Sequence, residues 1–211
     1  MNNNVYHQKV DLLLRLIPFI MQERVFAVHG GSAILCDRAQ EEFQQFCKAV
    51  IVPLTLLYGG KLAAALSRQH PRDLFDVKYM DMPLSNVREG LIFCLLGSDR
   101  PIHESFAPQL IDQRDAMTNQ FDGMSDIPFT YDEFEQTRAK LITDVQNMMT
   151  DADKNFLLSF EAAEPQWEGY EFEYFRNFPS VQWKLLNLAK LKKQNPTKLA
   201  SGVKKLQNIF E

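Results

Sequence analysis

Cysteine is scarce in this 211-residue chain, and its three cysteines form no metal-binding or redox pair. Cys36, Cys47 and Cys94 are odd in number, widely spaced and set among apolar residues. There is no Cys-x-x-Cys pair and no cysteine–histidine spacing of the kind that binds zinc. The pattern predicts reduced, buried, structural thiols in a cytoplasmic protein.

The sequence also lacks a long apolar run and an excess of positive charge. The apolar run over residues 12–21 is interrupted by Arg15 and Pro18, and it is shorter than the ~20 residues that cross a bilayer. We therefore expect neither a signal peptide nor contact with a membrane. The net charge of −4 argues against general binding along a nucleic acid, although it allows a local basic site for a nucleotide or tRNA.

Helical patterns dominate what is present. Hydrophobic residues make up 45% of the chain and charged residues 24%, as in an ordinary globular protein. Short strands are predicted over residues 25–28 and 49–52, and irregular structure over residues 99–128. Helices are predicted over residues 5–20, from Ser32, over 37–48, from Pro53 to Ser67, from Pro71, over 87–96, from the Thr130–Glu133 capping box to Met149, from Thr150, and on both sides of Asn195–Pro196.

A first candidate site is the turn formed by Gly30, Gly31 and Ser32, between a predicted strand and a predicted helix. Backbone amides, a hydroxyl and a helix N-terminus at such a turn can cradle a phosphate. A Gly-Gly turn that serves only close packing is the other interpretation.

A second candidate site consists of five charged residues on two successive predicted helices: Lys61, Arg68, Arg72, Asp73 and Asp76. Lys61 and Arg68 fall on one helical face because they are seven residues apart. In one interpretation, Asp73 favours the positive end of the second helix and Asp76 pairs with Arg72. In the other, these charges are largely buried and form a phosphate-handling network, because burial without a function is costly.

Two simpler assignments are set aside. Gly59, Gly60 and Lys61 are not a P-loop, because the GxxxxGK[ST] spacing is absent and Leu62 occupies the hydroxyl position. His29 and His70 stand beside the two candidate segments, and isolated histidines of this kind are more often structural than catalytic.

The two segments together resemble a known family. HGGSA at residues 29–33, followed by YGGKLAAALSRQHPRDLFD at residues 58–76, resembles the AbiEii/AbiGii group of nucleotidyltransferase-like toxins, and the similarity runs through nearly the whole chain. The second motif is long and specific, whereas the first means little by itself. The resemblance implies a type IV toxin–antitoxin protein with a role in phage abortive infection.

The resemblance also implies a fold and a set of site residues. The fold is α+β and predominantly helical, with a reduced nucleotidyltransferase-like core and small sheet over residues 1–98 and a helical C-terminal region packed on it over 99–211. Gly30, Gly31 and Ser32 match the phosphate-binding turn, and Lys61 matches the lysine that contacts the triphosphate. The late charged motif is matched by Arg68, Arg72, Asp73 and Asp76, with Lys61 and Asp73 as the candidate catalytic residues.

One part of the family pattern is missing. Its chemistry needs Mg²⁺ held by an Asp-x-Asp pair on a strand shortly after the Gly-Gly-Ser turn. After Ile34 this chain continues as LCDRAQEEFQQF, in which Asp37 stands alone and Glu41 and Glu42 point apart on a helix. The acidic strands are thus deleted between Ile34 and Cys36. We expect a nucleoside triphosphate to be bound but transferred poorly to a tRNA or protein acceptor.

Two further hypotheses stay open. The chain is a non-catalytic helical protein that binds an antitoxin or an intact homologue through its aromatic C-terminal third. Alternatively, Asp73 and Asp76, three residues apart on one helix, have taken over metal binding in a rearranged site.

Overall fold

The structure is a computed structural model that describes residues 32–34 and 37–211. The helix predicted over residues 5–20, the strand predicted over 25–28, and His29, Gly30, Gly31 and Cys36 lie outside the described residues. The chain divides after Pro53 into two compact units. The boundary predicted after residue 98 stays a prediction.

The described part of the first unit contains β1 (Ser32–Ile34), α1 (Asp37–Phe43) and β2 (Lys48–Val50). The two strands pair antiparallel, with Ser32 opposite Val50. The prediction of a helix from Ser32 is therefore wrong, because these residues form backbone hydrogen bonds with β2 instead. Helix α1 also ends earlier than predicted, since Gln44 adopts a φ of 50°, which a right-handed helix cannot continue.

The second unit, Leu54–Glu211, is built from helices. They are α2 (Leu54–Arg68), α3 (Pro71–Lys78), α4 (Arg88–Gly97), α5 (Ile102–Phe106), α6 (Arg114–Ala116), α7 (Tyr131–Asn147), α8 (Asp151–Glu161), α9 (Pro179–Gln194) and α10 (Pro196–Phe210). Shorter turns of 3-10 helix cover Leu84–Val87 and Glu173–Asn177, and a π-helical turn covers Met117–Phe121. The predominantly helical character is confirmed for the described residues. No described helix combines the length and apolarity needed to cross a membrane.

The segment over residues 99–128 is more ordered than predicted. It contains α5, α6 and the π-helical turn, which are three to five residues long. Elements this short do not complete enough turns to produce a periodic pattern of apolar residues. Their helical character therefore comes from packing within the unit, which the sequence pattern does not reveal.

Capping residues set the helix ends where they were predicted. The Thr130 hydroxyl accepts a hydrogen bond from the Glu133 backbone N–H at 3.2 Å, and the Glu133 carboxylate accepts one from the Thr130 N–H at 2.8 Å. The same reciprocal pair joins Thr150 and Asp153 at the start of α8. Each cap stabilises its helix by roughly 1 kcal/mol.

Helices α2 and α4 touch backbone to backbone at Gly59 and Gly90. A Cβ atom added at Gly59 would lie 2.5 Å from Leu91 N and 2.7 Å from Gly90 Cα, and one added at Gly90 would lie 2.9 Å from Leu56 Cα. Only glycine fits at either position. This contact fixes α2 and therefore the helical face that carries Lys61.

The core of the second unit is apolar and rich in aromatic rings. Its largest fully buried side chains among the described residues are Phe106, Phe134, Phe160, Phe175, Leu62, Leu66, Leu74, Leu91, Ile92, Leu95, Leu96 and Ile102. Packed rings such as Phe156 against Tyr170, with centroids 3.9 Å apart, fill the space beside α8. The C-terminal aromatics therefore serve mainly as core.

A buried ion pair ties α4 to α8. Arg88 Nη1 donates to both carboxylate oxygens of Asp153, at 2.8 and 2.7 Å, and Nη2 pairs with Glu171. Asp153 is fully buried and also accepts a hydrogen bond from the Tyr170 hydroxyl at 2.9 Å. The Arg88 guanidinium lies 4.8 Å from the centre of the Phe172 ring. Both oxygens of the buried Asp153 carboxylate thus accept hydrogen bonds, and its charge is paired with that of Arg88.

A buried lysine closes the C-terminal end of α4. Lys184 Nζ, from α9, donates to the carbonyls of Leu95 and Arg100 at 2.8 Å each. A cation at this end of a helix is favourable because the carbonyl groups there carry partial negative charge. Burial lowers the pKa of Lys184 to about 8, an effect that the buried Glu161 carboxyl opposes.

Candidate functional site

The motif over residues 58–76 forms most of α2 and α3 and the bend between them. Helix α2 ends at Arg68, because Gln69 has a left-handed φ of 52°. His70 is extended, as expected of a residue before proline, and Pro71 begins α3. The bend turns α3 back so that its charged residues face those of α2.

His70 has a structural role at this bend. Its Nδ1 accepts a hydrogen bond from the Arg72 backbone N–H at 3.2 Å and so caps α3. The ring proton therefore resides on Nε2, which lies 3.0 Å from the amide oxygen of Gln120. Both ring nitrogens are used by the fold, in agreement with the structural interpretation.

Two ion pairs join the helices. Lys61 Nζ pairs with Asp76, and Arg68 donates from Nε and Nη2 to the two carboxylate oxygens of Asp73, at 3.0 and 2.8 Å. The pairing predicted between Arg72 and Asp76 is wrong, because Asp76 lies within reach of Lys61. We refer to Lys61, Arg68, Arg72, Asp73 and Asp76 as the α2–α3 corner.

The α2–α3 corner is more exposed than a buried network would be. The Arg68 side chain is 64% exposed and Asp76 45% exposed, whereas Asp73 is 18% exposed. Arg72 is exposed, and its side chain has no ion-pair or hydrogen-bond partner among the described residues. Three cations and two carboxylates leave one net positive charge, which the free Arg72 guanidinium carries.

The carboxylates of the corner do not form a metal site in the described part of the chain. Asp73 and Asp76 are each engaged by a cation, and no group of three histidine, cysteine, aspartate or glutamate side chains there could hold a metal ion. A rearranged site built from these two residues would lack a third protein ligand within residues 32–34 and 37–211. The Mg²⁺ expected from the resemblance stays a prediction.

The other candidate segment belongs to the first unit. Ser32 is the first residue of β1 and is exposed, while Gly30 and Gly31 lie outside the described residues. Lys61 belongs to the second unit. The grouping of Ser32 with Lys61 in one phosphate site stays a prediction.

The aromatic C-terminal third offers less surface than predicted. Tyr170, Phe172, Phe175 and Phe178 are all at most 8% exposed. They are spaced at two or three residues, so the sequence pattern did not separate inward from outward positions. Among the described residues of this region, the large apolar side chains that remain exposed are Tyr174, Trp183 and Leu186.

The prediction of buried thiols is wrong for Cys47 and holds in part for Cys94, which is half-buried. Burial raises the pKa of Cys94 to about 11, as expected of a structural cysteine. Cys47 is exposed instead of buried, because it follows α1 in a segment whose residues all face solvent.

Gln69 was missed by sequence reasoning although it organises the bend. It is 2% exposed, its Nε2 donates to the Gln109 carbonyl at 2.7 Å, and its Oε1 accepts from Ile111 N at 3.2 Å and Arg138 Nη1 at 3.0 Å. These partners lie 40 to 69 residues away in sequence. No local spacing rule could have identified them.

Comparisons of the chain with family models, with curated proteins and with solved structures found no match. The AbiEii/AbiGii resemblance therefore rests on residues 29–33 and 58–76 of the sequence.

Proposed function

We propose that the chain is a nucleotidyltransferase-like protein of the AbiEii/AbiGii toxin group that binds a nucleoside triphosphate but transfers it poorly. The observation that carries this proposal is the pair of salt bridges between α2 and α3. They bring the charged positions of the sequence motif into one exposed corner beside the free Arg72 guanidinium.

The corner has suitable chemistry for a polyphosphate. Exposed ion pairs stabilise a protein by only ~0–1 kcal/mol, so phosphate oxygens can replace the aspartates at small cost. Until then the aspartates hold Lys61 and Arg68 in position, which reduces the entropy lost on binding. Arg72 adds a donor that needs no displacement, and guanidinium groups suit phosphate geometry.

Poor transfer follows from the missing carboxylates. In nucleotide transfer, metal ions bridge the phosphates and neutralise the charge that develops during the reaction. This sequence has no Asp-x-Asp pair in the stretch that directly follows Ser32. Lys61 and the arginines of the corner then contribute binding energy without the metal that the reaction needs.

Calorimetric titration of the full chain with each of the four nucleoside triphosphates and Mg²⁺ tests the binding part. Lys61→Gln and Arg72→Gln should each weaken binding about tenfold, the usual effect of losing one hydrogen bond to a charged group. Asp76→Asn should strengthen it, because the removal of a carboxylate that repels the phosphates and competes for Lys61 outweighs the loss of its weak hold on the lysine. Lys190→Gln, an exposed charge removal on α9, is the matched control. Equal affinity in Lys61→Gln, Arg72→Gln and the wild type would contradict the proposal.

Incubation with labelled nucleoside triphosphates and a tRNA or protein acceptor tests the transfer part. We expect little or no label on either acceptor. Efficient transfer by the wild type that is lost in Asp73→Asn would contradict the proposed impairment of catalysis. The proposed nucleotide binding would still stand.

A second candidate function is a non-catalytic interaction protein that binds an antitoxin or a homologue. The observation in its favour is that Trp183 is 53% exposed and Leu186 is 69% exposed, three residues apart on α9. Light scattering tests it by comparing the oligomeric state of the full chain with that of a Trp183→Ala/Leu186→Ala variant measured separately. A strictly monomeric protein that binds nucleotides counts against this function.

A further inference from the structure

A cavity of about 530 Å³ lies between the C-terminal end of α2, helix α5 with the loop that follows it, and α10. Its size falls in the range of small-molecule sites, which run from ~300 to 1,000 Å³. Leu66 and Ser67 of α2 line it, but none of the five residues of the α2–α3 corner does. It is therefore a separate candidate site within the second unit.

The cavity carries basic groups without partners. Arg100 and Lys205 line it, and neither side chain has an ion pair or hydrogen bond among the described residues. The acidic residue in the lining is Glu104. By contrast, Lys61 and Arg68 in the corner are each paired with an aspartate. The cavity thus keeps unneutralised positive charge.

His103, which also lines the cavity, has an unsatisfied nitrogen. Its Nδ1 is buried and has no hydrogen-bond partner in the described chain. Burial lowers the pKa of His103, and the charge of Lys205 lowers it further, whereas Glu104 raises it. This nitrogen lies beside Gly202, which does not line the cavity, so a ligand in the cavity would contact another part of the ring.

A second carboxyl group, that of Glu161, lies near His103. A Cβ atom added at Gly202 would lie 3.9 Å from His103 Nδ1 and 3.6 Å from Glu161 Oε1, so both groups lie close to this residue of α10. Glu161 is buried, and burial raises its pKa. Its other oxygen lies 3.4 Å from Ile102 N. Glu161 does not line the cavity, so the carboxyl group of the lining that would oppose an anion is that of Glu104.

One wall of the cavity is held rigidly. Gln69 has a left-handed φ of 52°, a conformation that costs a residue other than glycine about 1 kcal/mol or more. Its side-chain amide is fixed by Gln109, Ile111 and Arg138. A wall whose polar groups are already engaged leaves the basic groups to determine what binds.

We propose that this cavity binds the phosphate monoester of a small organic molecule, with Arg100, Lys205 and His103 around the phosphate. Two cations and an imidazole suit a compact dianion. The volume exceeds that of phosphate alone, and Leu66, Ile111 and Ile209 supply apolar surface for the organic part.

An NMR titration of the full chain with inorganic phosphate, at constant ionic strength, tests the proposal through the His103 ring signals. We expect saturable shifts in the wild type and a loss of affinity of about tenfold or more in Arg100→Gln/Lys205→Gln. Arg176→Gln/Lys198→Gln removes the same charge from exposed positions outside the cavity, and it should change affinity by less than about twofold. Both double variants alter exposed side chains, so the fold is preserved.

The outcomes separate this site from the α2–α3 corner. Shifts at His103 that persist in Lys61→Gln/Arg72→Gln support the cavity whether or not nucleotides bind to the corner. The proposal is overturned if His103 does not shift, if both charge-matched double variants lose affinity equally, or if only Lys61→Gln/Arg72→Gln loses it. AMP should also bind more tightly than cyclic AMP, which lacks the dianion, and equal affinities would overturn the monoester assignment.

Discussion

Two adjacent glycines in α2 should respond in opposite ways to the same substitution. At Gly59, an added Cβ atom would lie 2.7 Å from Gly90 Cα, within the backbone of α4. At Gly60, the nearest atom would be Cys94 Sγ at 3.9 Å, an ordinary van der Waals contact. Gly59→Ala is therefore expected to destabilise the second unit, and Gly60→Ala to stabilise it.

The magnitudes follow from two opposing effects. Alanine in place of glycine inside a helix stabilises it by roughly 0.5–1 kcal/mol. Overpacking costs about 1–3 kcal/mol, and backbone atoms, which cannot rotate away, place Gly59→Ala at the upper end. The expected net result is a loss of about 2 kcal/mol for Gly59→Ala and a gain of about 1 kcal/mol for Gly60→Ala.

Thermal unfolding followed by circular dichroism measures the difference. A gap of about 3 kcal/mol corresponds to roughly 6–12 °C in Tm for a chain of this size. Both variants carry the same added methyl group in the same helix, so each controls for the other. Equal melting temperatures would show that α2 and α4 do not meet backbone to backbone at Gly59.

Three further predictions concern charge and exposure. Asp153→Ala should lower the free energy of unfolding by about 3 kcal/mol in urea denaturation, because it removes a helix cap and leaves Arg88 with Glu171 alone. The control, Asp151→Ala at an exposed position, should lower it by less than about 1 kcal/mol. Similar losses in both variants would refute the buried ion pair. The hydrogen bond from Lys78 lowers the pKa of Glu133 from 4.5 to about 2, so its stabilisation is present above pH 4.5 and is lost as the pH falls towards 2. Glu133→Gln should flatten the fall of Tm across that interval, and an unchanged profile would contradict this. In the folded protein, a thiol reagent at neutral pH should label the exposed Cys47 much faster than the half-buried Cys94, whose pKa is raised, as peptide mapping would show. Equal rates would refute the assigned difference in burial.

Features encoded by a few neighbouring residues could be predicted from the sequence. Pro71, Pro196, Thr130 and Thr150 start helices because they satisfy or remove the N–H groups that the first turn leaves unpaired. The helical dominance of the chain follows from the same local signals and from apolar periodicity. None of this required knowledge of distant contacts.

Features that depend on distant residues could not be predicted. Asp76 pairs with Lys61, fifteen residues earlier, and not with Arg72 in its own helix, because the bend at Gln69 brings α2 alongside α3. Nothing in the sequence except the two glycines themselves indicated the contact between Gly59 and Gly90. Ser32 lies in a strand because β1 pairs with β2, and helical propensity does not take such backbone hydrogen bonds to another segment into account.

The lysine that completes α4 has a consequence for synthesis on the ribosome. Lys184 follows Leu95, whose carbonyl it binds, by 89 residues. Because the chain is synthesised from its N-terminus, the carbonyls of Leu95 and Arg100 have no lysine partner until α9 has been made. A chain that ends before Lys184 would leave those carbonyls without this partner. The second unit is therefore expected to fold as a whole, late in synthesis.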